Sequence, residues 1–245
     1  DMRRYNMKIS AKAAACILAG ILPSSVSVRA EARKIPPTTL SVQYGRVLKE
    51  GVQKVTLTAV YENKGLYATQ IAFSPEQDSG YSPAITLADF TGDGILEIFF
   101  GADSGGSGGF GFYYVFSVMS GSAQALFDFR SYPEIFSAAY ADGYKVQVSG
   151  RNPERQYLID ISGRDADYLS ALYDENGILR KPVAADVSAV NTVLPFFANY
   201  GNRYNLLVMR RITGLYNADS LGYTQEFLQF SNGSFTPYFT SVGIL

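Results

Sequence analysis

The residues best suited to chemistry lie in one run, Ala88-Asp89-Phe90-Thr91-Gly92-Asp93-Gly94-Ile95-Leu96-Glu97-Ile98. Oxygen-bearing groups recur at alternate positions: Asp89, Thr91, Asp93, the backbone carbonyl of Ile95, and Glu97. Gly92 and Gly94 free the chain to curl tightly enough for alternate residues to face one centre. A hard cation such as Ca2+ takes about six to eight oxygens at roughly 2.3–2.6 Å, and a loop of this composition supplies most of them. Asp89, Asp93 and Glu97 repel one another unless a positive partner joins them, which is the physical reason to expect an ion. The bland alternative is an ordinary turn in which Asp and Thr satisfy backbone N–H groups. Under either reading the role is structural rather than catalytic.

The spacing is that of the calcium loop opening an EF-hand, D-x-[DN]-x-[DN]-G, with threonine in the second ligand slot. Position 100 is Phe where an EF-hand closes with glutamate, and strand-like residues flank the run. With its apolar lead-in Ile85-Thr86-Leu87-Ala88 and its exit Glu97-Ile98, the D-F-T-G-D-G core instead resembles the FG-GAP/VCBS repeats, over about residues 84–118. That resemblance implies a β-propeller blade whose loop binds Ca2+ between adjacent strands, through Asp89, Thr91, Asp93, Ile95 and Glu97. The Gly-rich stretch 101–109 is similar to secreted proteins of Gram-positive bacteria that carry one such repeat. A fainter echo lies over 195–207, with Phe197, Asn199, Gly201 and Asn205 at the positions of Asp89, Thr91, Asp93 and Glu97; every carboxylate is gone and Arg203 has entered.

The rest of the composition excludes more than it permits. The 245 residues contain no His and no Trp. Histidine-ligated zinc, a Ser-His-Asp triad, a Cys-His dyad and an imidazole general base are therefore ruled out. Asp160, Asp165, Asp167, Asp174 and Glu175 cluster along the chain, as a carboxylate-dependent glycosidase would need. Helix-start acids and solvated faces explain the same cluster. Tyr113, Tyr114, Tyr140 and Tyr144 are the place to look for a sugar-stacking surface, against the alternative that they pack in the core.

The first thirty residues read as a signal peptide. Arg3, Arg4, Lys8 and Lys12 precede the apolar run 13–22, and Val28-Arg29-Ala30 forms a small-x-small cleavage pattern. Ten apolar residues are too few to span a bilayer, which takes about twenty. The single cysteine, Cys16, lies inside this leader, so the mature chain carries no thiol; lipidation at Cys16 is the alternative. Five of the 21 basic residues and one of the 22 acidic ones fall in residues 1–30, leaving 16 against 21 and a net charge of −5. A chain of that charge lacks the basic face a nucleic-acid partner requires. The expected location is secreted or at the cell surface, with no transmembrane span in the mature chain.

The elements that must hold the acidic loop are strands. Short β-branched and aromatic runs recur at 52–61, 67–73, 84–88, 95–101, 110–119, 124–130, 144–149, 156–161, 183–190, 205–212, 223–230 and 235–240, punctuated by Gly, Asn and Pro. One segment near 165–174 has apolar residues at helical spacing (168, 169, 172, 173), acids in its first turn and Asn176-Gly177 beyond its end. The fold class is therefore mostly β, with many short antiparallel strands in an incomplete propeller or stacked sheets, and one short helix. Residues 31–245 are expected to form a single β-rich domain, built from two degenerate repeats (about 40–130 and 140–245) if the echo is a true duplication. The functional expectation is a secreted, non-enzymatic Ca2+-binding protein with a structural role or a surface or extracellular ligand. The rival is a secreted carboxylate-dependent hydrolase.

Overall fold

The computed structural model describes residues 79–118, 122–151, 154–198 and 203–244. Before residue 79 it describes strand backbone at 26–29, 39–42, 47–49, 52–54, 57–63 and 67–73. Apart from 26–29, the expected leader lies outside the described residues, as do Cys16 and positions 199–202 of the echo.

The strands are β1 (Val26–Arg29), β2 (Thr39–Val42), β3 (Val47–Lys49), β4 (Val52–Lys54), β5 (Leu57–Asn63), β6 (Tyr67–Phe73), β7 (Ser79–Ala88), β8 (Glu97–Asp103), β9 (Gly111–Ser117) and β10 (Gln124–Asp128). Then come β11 (Phe136–Ala141), β12 (Lys145–Arg151), β13 (Glu154–Asp160), helix α1 (Ala166–Leu172), β14 (Ala184–Val187), β15 (Thr192–Phe197), β16 (Tyr204–Thr213), β17 (Ser220–Ser231) and β18 (Ser234–Ile244). Among the described residues the fold is mostly β with one short helix, as the residue pattern predicts. It divides into two compact units. Unit 1 is residues 1–106, 111–129 and 197–204, and unit 2 is residues 107–110, 130–196 and 205–245.

In unit 1 the main sheet runs β10-β9-β8-β7-β4-β3, with separate hairpins β1-β2 and β5-β6. Strand β8 lies at its centre, and its residues from Glu97 to Ala102 are all buried. Alternation sends Ile98, Phe100 and Ala102 to a cluster with Tyr114, Phe116, Val118 and Leu57. Phe112, Tyr114, Phe116 and Val118 thus share a packed face, with Phe112 partly buried. Ala88 and Glu97 are antiparallel partners at the end of the β7–β8 ladder, which places the acidic run in the connecting turn.

Unit 2 is an eight-stranded antiparallel sheet ordered β13-β12-β11-β14-β16-β17-β18, with β15 also paired to β16. The two ends approach each other: the Tyr157 hydroxyl on β13 reaches Thr240 on β18, donating to its carbonyl at 2.8 Å. The sheet is therefore curled nearly shut. Along β16, Leu206, Val208, Arg210 and Ile212 alternate inward, and along β17 Gly222, Thr224, Glu226 and Leu228 do the same. Asp165 caps α1 by accepting the Tyr168 N–H at 2.8 Å, as a helix-start acid should. Leu172 and Tyr173 then pack into the core that lines the curled sheet. The β17–β18 turn carries Asn232 and Gly233 at φ +51° and +82°, the left-handed pair that a tight hairpin demands.

Strands β1, β2, β3, β11 and β15 fall outside the runs expected from the sequence, and β1 lies within the expected leader. β11 is Phe-Ser-Ala-Ala-Tyr-Ala, whose alanines disfavour strands, and β15 contains Pro195. Proline is tolerated because β15 pairs only with β16 and so lies at an edge. The run 52–61 is split between β4 and β5.

Candidate functional site

The turn between β7 and β8 holds its acids against its own main chain. Gly92 and Gly94 adopt φ +85° and +84°, a region other residues enter at a cost, so the two glycines do curl the chain. Asp89 receives Gly92 N–H on Oδ1 at 2.6 Å and Gly94 N–H on Oδ2 at 2.8 Å. Asp93 Oδ1 accepts from Ile95 N–H at 2.8 Å. Glu97, the first residue of β8, accepts from Phe90 N–H at 2.7 Å, and its other oxygen takes the Thr91 hydroxyl at 3.2 Å.

The electrostatics follow from that burial. Glu97 is only 1% exposed. Desolvation pushes its pKa up to about 7; the backbone N–H groups of Phe90 and Thr91 oppose the shift, and the charges of Asp93 and Asp89 add to it. Asp89 is raised as well, mainly by burial, with Asp93 contributing repulsion. Burial is the larger cause at both acids, and the neighbouring charges add to it. Two residues outside the run also touch the turn. Tyr204 donates its N–H to the Asp89 carbonyl at 2.7 Å and sets its ring edge-on to Phe90 at 6.0 Å between centroids. Arg203 lies alongside Gly92, where a Cβ would meet its Cδ at 3.4 Å and its Nη1 at 3.9 Å.

The structure thus joins Thr91 to Glu97, and turns Asp89 and Asp93 onto main-chain N–H groups of the same turn. Among the described residues, no three His, Cys, Asp or Glu side chains gather into a group that could hold a metal. The residues of the turn suit a hard, oxygen-ligated cation in kind, three carboxylates and a hydroxyl, while their oxygens are aimed at main-chain donors.

The remaining candidates resolve individually. Asp160 pairs with Lys145 and accepts from Ser162, which together hold its carboxyl well below the usual range. Asp174 accepts from Asn176 and Ile178 N–H groups in the turn after α1. The cluster around the helix therefore splits into a cap, a surface pair and a turn. Tyr113, Tyr114 and Tyr140 are buried and Tyr144 packs partly buried against the unit 2 core, so the alternative of core packing describes these tyrosines.

Two polar networks in unit 2 carry no local sequence signal. Asp219, 3% exposed, accepts the Tyr168 hydroxyl at 2.6 Å and the Leu215 N–H at 3.0 Å, and pairs with Arg164 at 3.2 Å. Tyr140 bonds the Tyr168 hydroxyl in turn, and burial raises both phenols above their ordinary range. Further along the sheet, Arg210 and Glu226 pair at 3.4 Å, while the Tyr132 hydroxyl donates to Glu226 at 2.6 Å. Arg210 also donates to the carbonyls of Tyr132 at 3.2 Å and Pro133 at 2.9 Å.

Comparison with known proteins points to unit 2. Residues 134–243 match the family described as YybI C-terminal domain. That stretch runs from just before β11 to the end of β18. The chain is also 32% identical over 162 residues to the uncharacterized protein YybI of Bacillus subtilis (strain 168), covering 65% of this chain and 62% of that protein. It therefore spans less than two thirds of the length of that relative. No solved structure matches the chain. The family match begins beyond residue 118, so it concerns a different part of the chain from the FG-GAP/VCBS resemblance. No helix among the described residues is long and apolar enough to cross a membrane.

Proposed function

We propose that this is a secreted or surface-located, non-enzymatic β-rich protein whose β7–β8 turn takes Ca2+ in a structural role, as the resemblance to FG-GAP/VCBS repeats implies. The ligands in this reading are Asp89, Thr91, Asp93, the Ile95 carbonyl and Glu97. One observation carries the proposal. Glu97 is a buried carboxylate raised to about 7 by desolvation and by two neighbouring acids, an environment that a divalent cation would relieve. A filled site would clamp the end of the β7–β8 ladder. No specific observation favours the hydrolase reading: Asp219 and Glu226, the buried acids of unit 2, are each bound to an arginine and a tyrosine.

The test is thermal unfolding of the full chain, stripped with a chelator and then scanned with and without 10 mM Ca2+. Extracellular calcium modules bind at about 10⁻⁴–10⁻³ M, so 10 mM gives on the order of 1.5–3 kcal/mol and a midpoint raised by several degrees. Asp93→Ala should abolish the rise. An unchanged midpoint in the wild-type chain rejects the site, and a rise that persists in Asp93→Ala places the ion elsewhere.

A further inference from the structure

The outer face of the curled sheet carries a row of aromatic side chains. Leu207, Phe227 and Phe239 are register partners on β16, β17 and β18. Strand alternation turns them outward, away from the buried Leu206, Glu226 and Thr240. Phe196 on β15 meets Phe227 at 5.7 Å between centroids, and Phe227 meets Phe239 at 5.4 Å. Leu194 shares the face of Phe196 by the same alternation. A register shift between Phe227 and Leu228 leaves Tyr238 as an extra residue in β18, between Pro237 and Phe239. A bulge of this kind re-aims a side chain. Here two consecutive aromatics stand open, Tyr238 at 45% and Phe239 at 51% exposure, with Leu194 at 48%. Asn205, two residues before Leu207 on β16, donates its side-chain N–H to the Tyr238 hydroxyl at 3.4 Å and so ties that ring to the outward face.

The row is flanked by amides and hydroxyls and carries no charge. Gln225 and Ser241 are register partners joined at 2.7 Å on one side of Phe227, and Gln229 pairs with Thr236 on the other. Residues 227–245 contain no Asp, Glu, Lys or Arg. A charged partner finds nothing to pair with on such a face, and a lipid tail would cover amides and hydroxyls without bonding them. The three half-exposed side chains open on the order of 300 Å². A stable protein interface takes about 800 Å² from each partner. What matches is a ligand with small apolar faces, a rim of hydroxyls and no charge, which describes a sugar ring. We propose that this face binds a neutral polysaccharide chain, its C–H faces packed on Tyr238 and Phe239 and its hydroxyls bonded to Gln225 and Ser241. The rings are inclined at 84° between Phe196 and Phe227 and at 58° between Phe227 and Phe239, so they form no flat plate. The surface therefore takes single chains rather than the planar face of a crystalline polymer. This site lies within unit 2 and does not depend on a cation in the β7–β8 turn.

The test is affinity electrophoresis of the full chain in native gels containing hydroxyethylcellulose, laminarin, arabinoxylan or galactomannan, all neutral and soluble. At least one should retard the wild-type chain. Phe239→Ala should weaken that retardation roughly tenfold, as loss of an aromatic anchor does. Phe239→Tyr should keep it, and so should Tyr216→Ala, which removes an exposed ring from the β16–β17 turn outside the row. Should Phe239→Ala fail to fold, Leu194→Ala at the other end of the row must weaken the retardation instead. Mobility unchanged by every one of these polysaccharides overturns the proposal, as does retardation that a folded Phe239→Ala retains in full. Size-exclusion chromatography gives the remaining outcome: a wild-type dimer that Phe239→Ala converts to monomer overturns the glycan in favour of a second copy of the chain.

Discussion

At the scale of single residues, Glu97 is the most buried acid of the β7–β8 turn, and its titration has a definite sign. Its carboxyl has an ordinary value of 4.5 and is pushed up to about 7 in the folded chain. The folded protein therefore holds this proton more firmly than the unfolded one does. The resulting stabilisation is complete below about pH 4.5 and is lost as pH rises through 7. With chelator present throughout, the free energy of unfolding attributable to Glu97 should fall by about 2 kcal/mol between pH 5 and pH 8. Urea titrations at both pH values check this, and Glu97→Gln should remove most of the slope. A wild-type slope no steeper than the variant's would show that the carboxyl is not desolvated as described.

The acids of this turn were legible in the sequence because glycine and oxygen-bearing residues alternate within eleven positions. Arg203 and Tyr204 were legible only as a faint echo of the same run. Their actual place, alongside Gly92 and on the Asp89 carbonyl, depends on a segment more than a hundred residues away. Asp219 showed only as part of a likeness between 218–222 and 101–104, and Arg210 and Glu226 gave no signal at all. Each looks like an ordinary polar residue until the fold brings Arg164 and Tyr168 to Asp219, and Tyr132 to both Arg210 and Glu226.

At the scale of elements, helix α1 is fastened to the curled sheet through one carboxylate. Asp219 holds Tyr168 of the helix, Arg164 just before it, and the β16–β17 turn through Leu215. The fastening needs a residue without a side chain at Gly214. A Cβ there would lie 2.0 Å from Asp219 Oδ2, 2.5 Å from the Tyr140 hydroxyl and 2.7 Å from the Tyr168 hydroxyl. Gly214→Ala must therefore displace the network. The expected loss is about 2–4 kcal/mol by denaturant unfolding, from buried hydrogen bonds broken and polar groups left unpaired. A variant within about 0.5 kcal/mol of wild type would mean that the three oxygens are not held as described. The helix itself was readable from the acids at its start and the apolar spacing of 168, 169, 172 and 173. Its fastening was not, because Asp219 lies 51 residues from Tyr168.

At the scale of the whole molecule, the chain divides into two compact units, each assembled from discontinuous segments. Their strand orders differ. Unit 1 builds on a sheet with β8 at its centre, whereas unit 2 winds seven strands, with β15 alongside, into an almost continuous ring. The family match at 134–243 falls within the larger segments of unit 2 but for residues 197–204. These two facts make unit 2 the better candidate for autonomous folding. Residues 130–245 produced alone should show a β-type circular dichroism spectrum and one cooperative thermal transition. A non-cooperative melt of that fragment would count against it. Strand content was broadly visible at this scale because β-branched and aromatic runs recur between turn residues. Curling was not, since closure depends on which strands meet rather than on how each one reads.

The meeting of β13 and β18 has a kinetic consequence. Neighbouring strands such as β11–β12, β12–β13, β16–β17 and β17–β18 zip up through short connections, each needing little chain to be brought back on itself. The Tyr157–Thr240 clasp instead joins residues 83 positions apart. Closing so long a span carries an entropic penalty that local hairpins escape, and it can be recovered only once both flanks already exist. Assembly of the ring should thus run from its hairpins outward, with the tyrosine clasp among the last contacts to form on folding and among the first to yield on the way out.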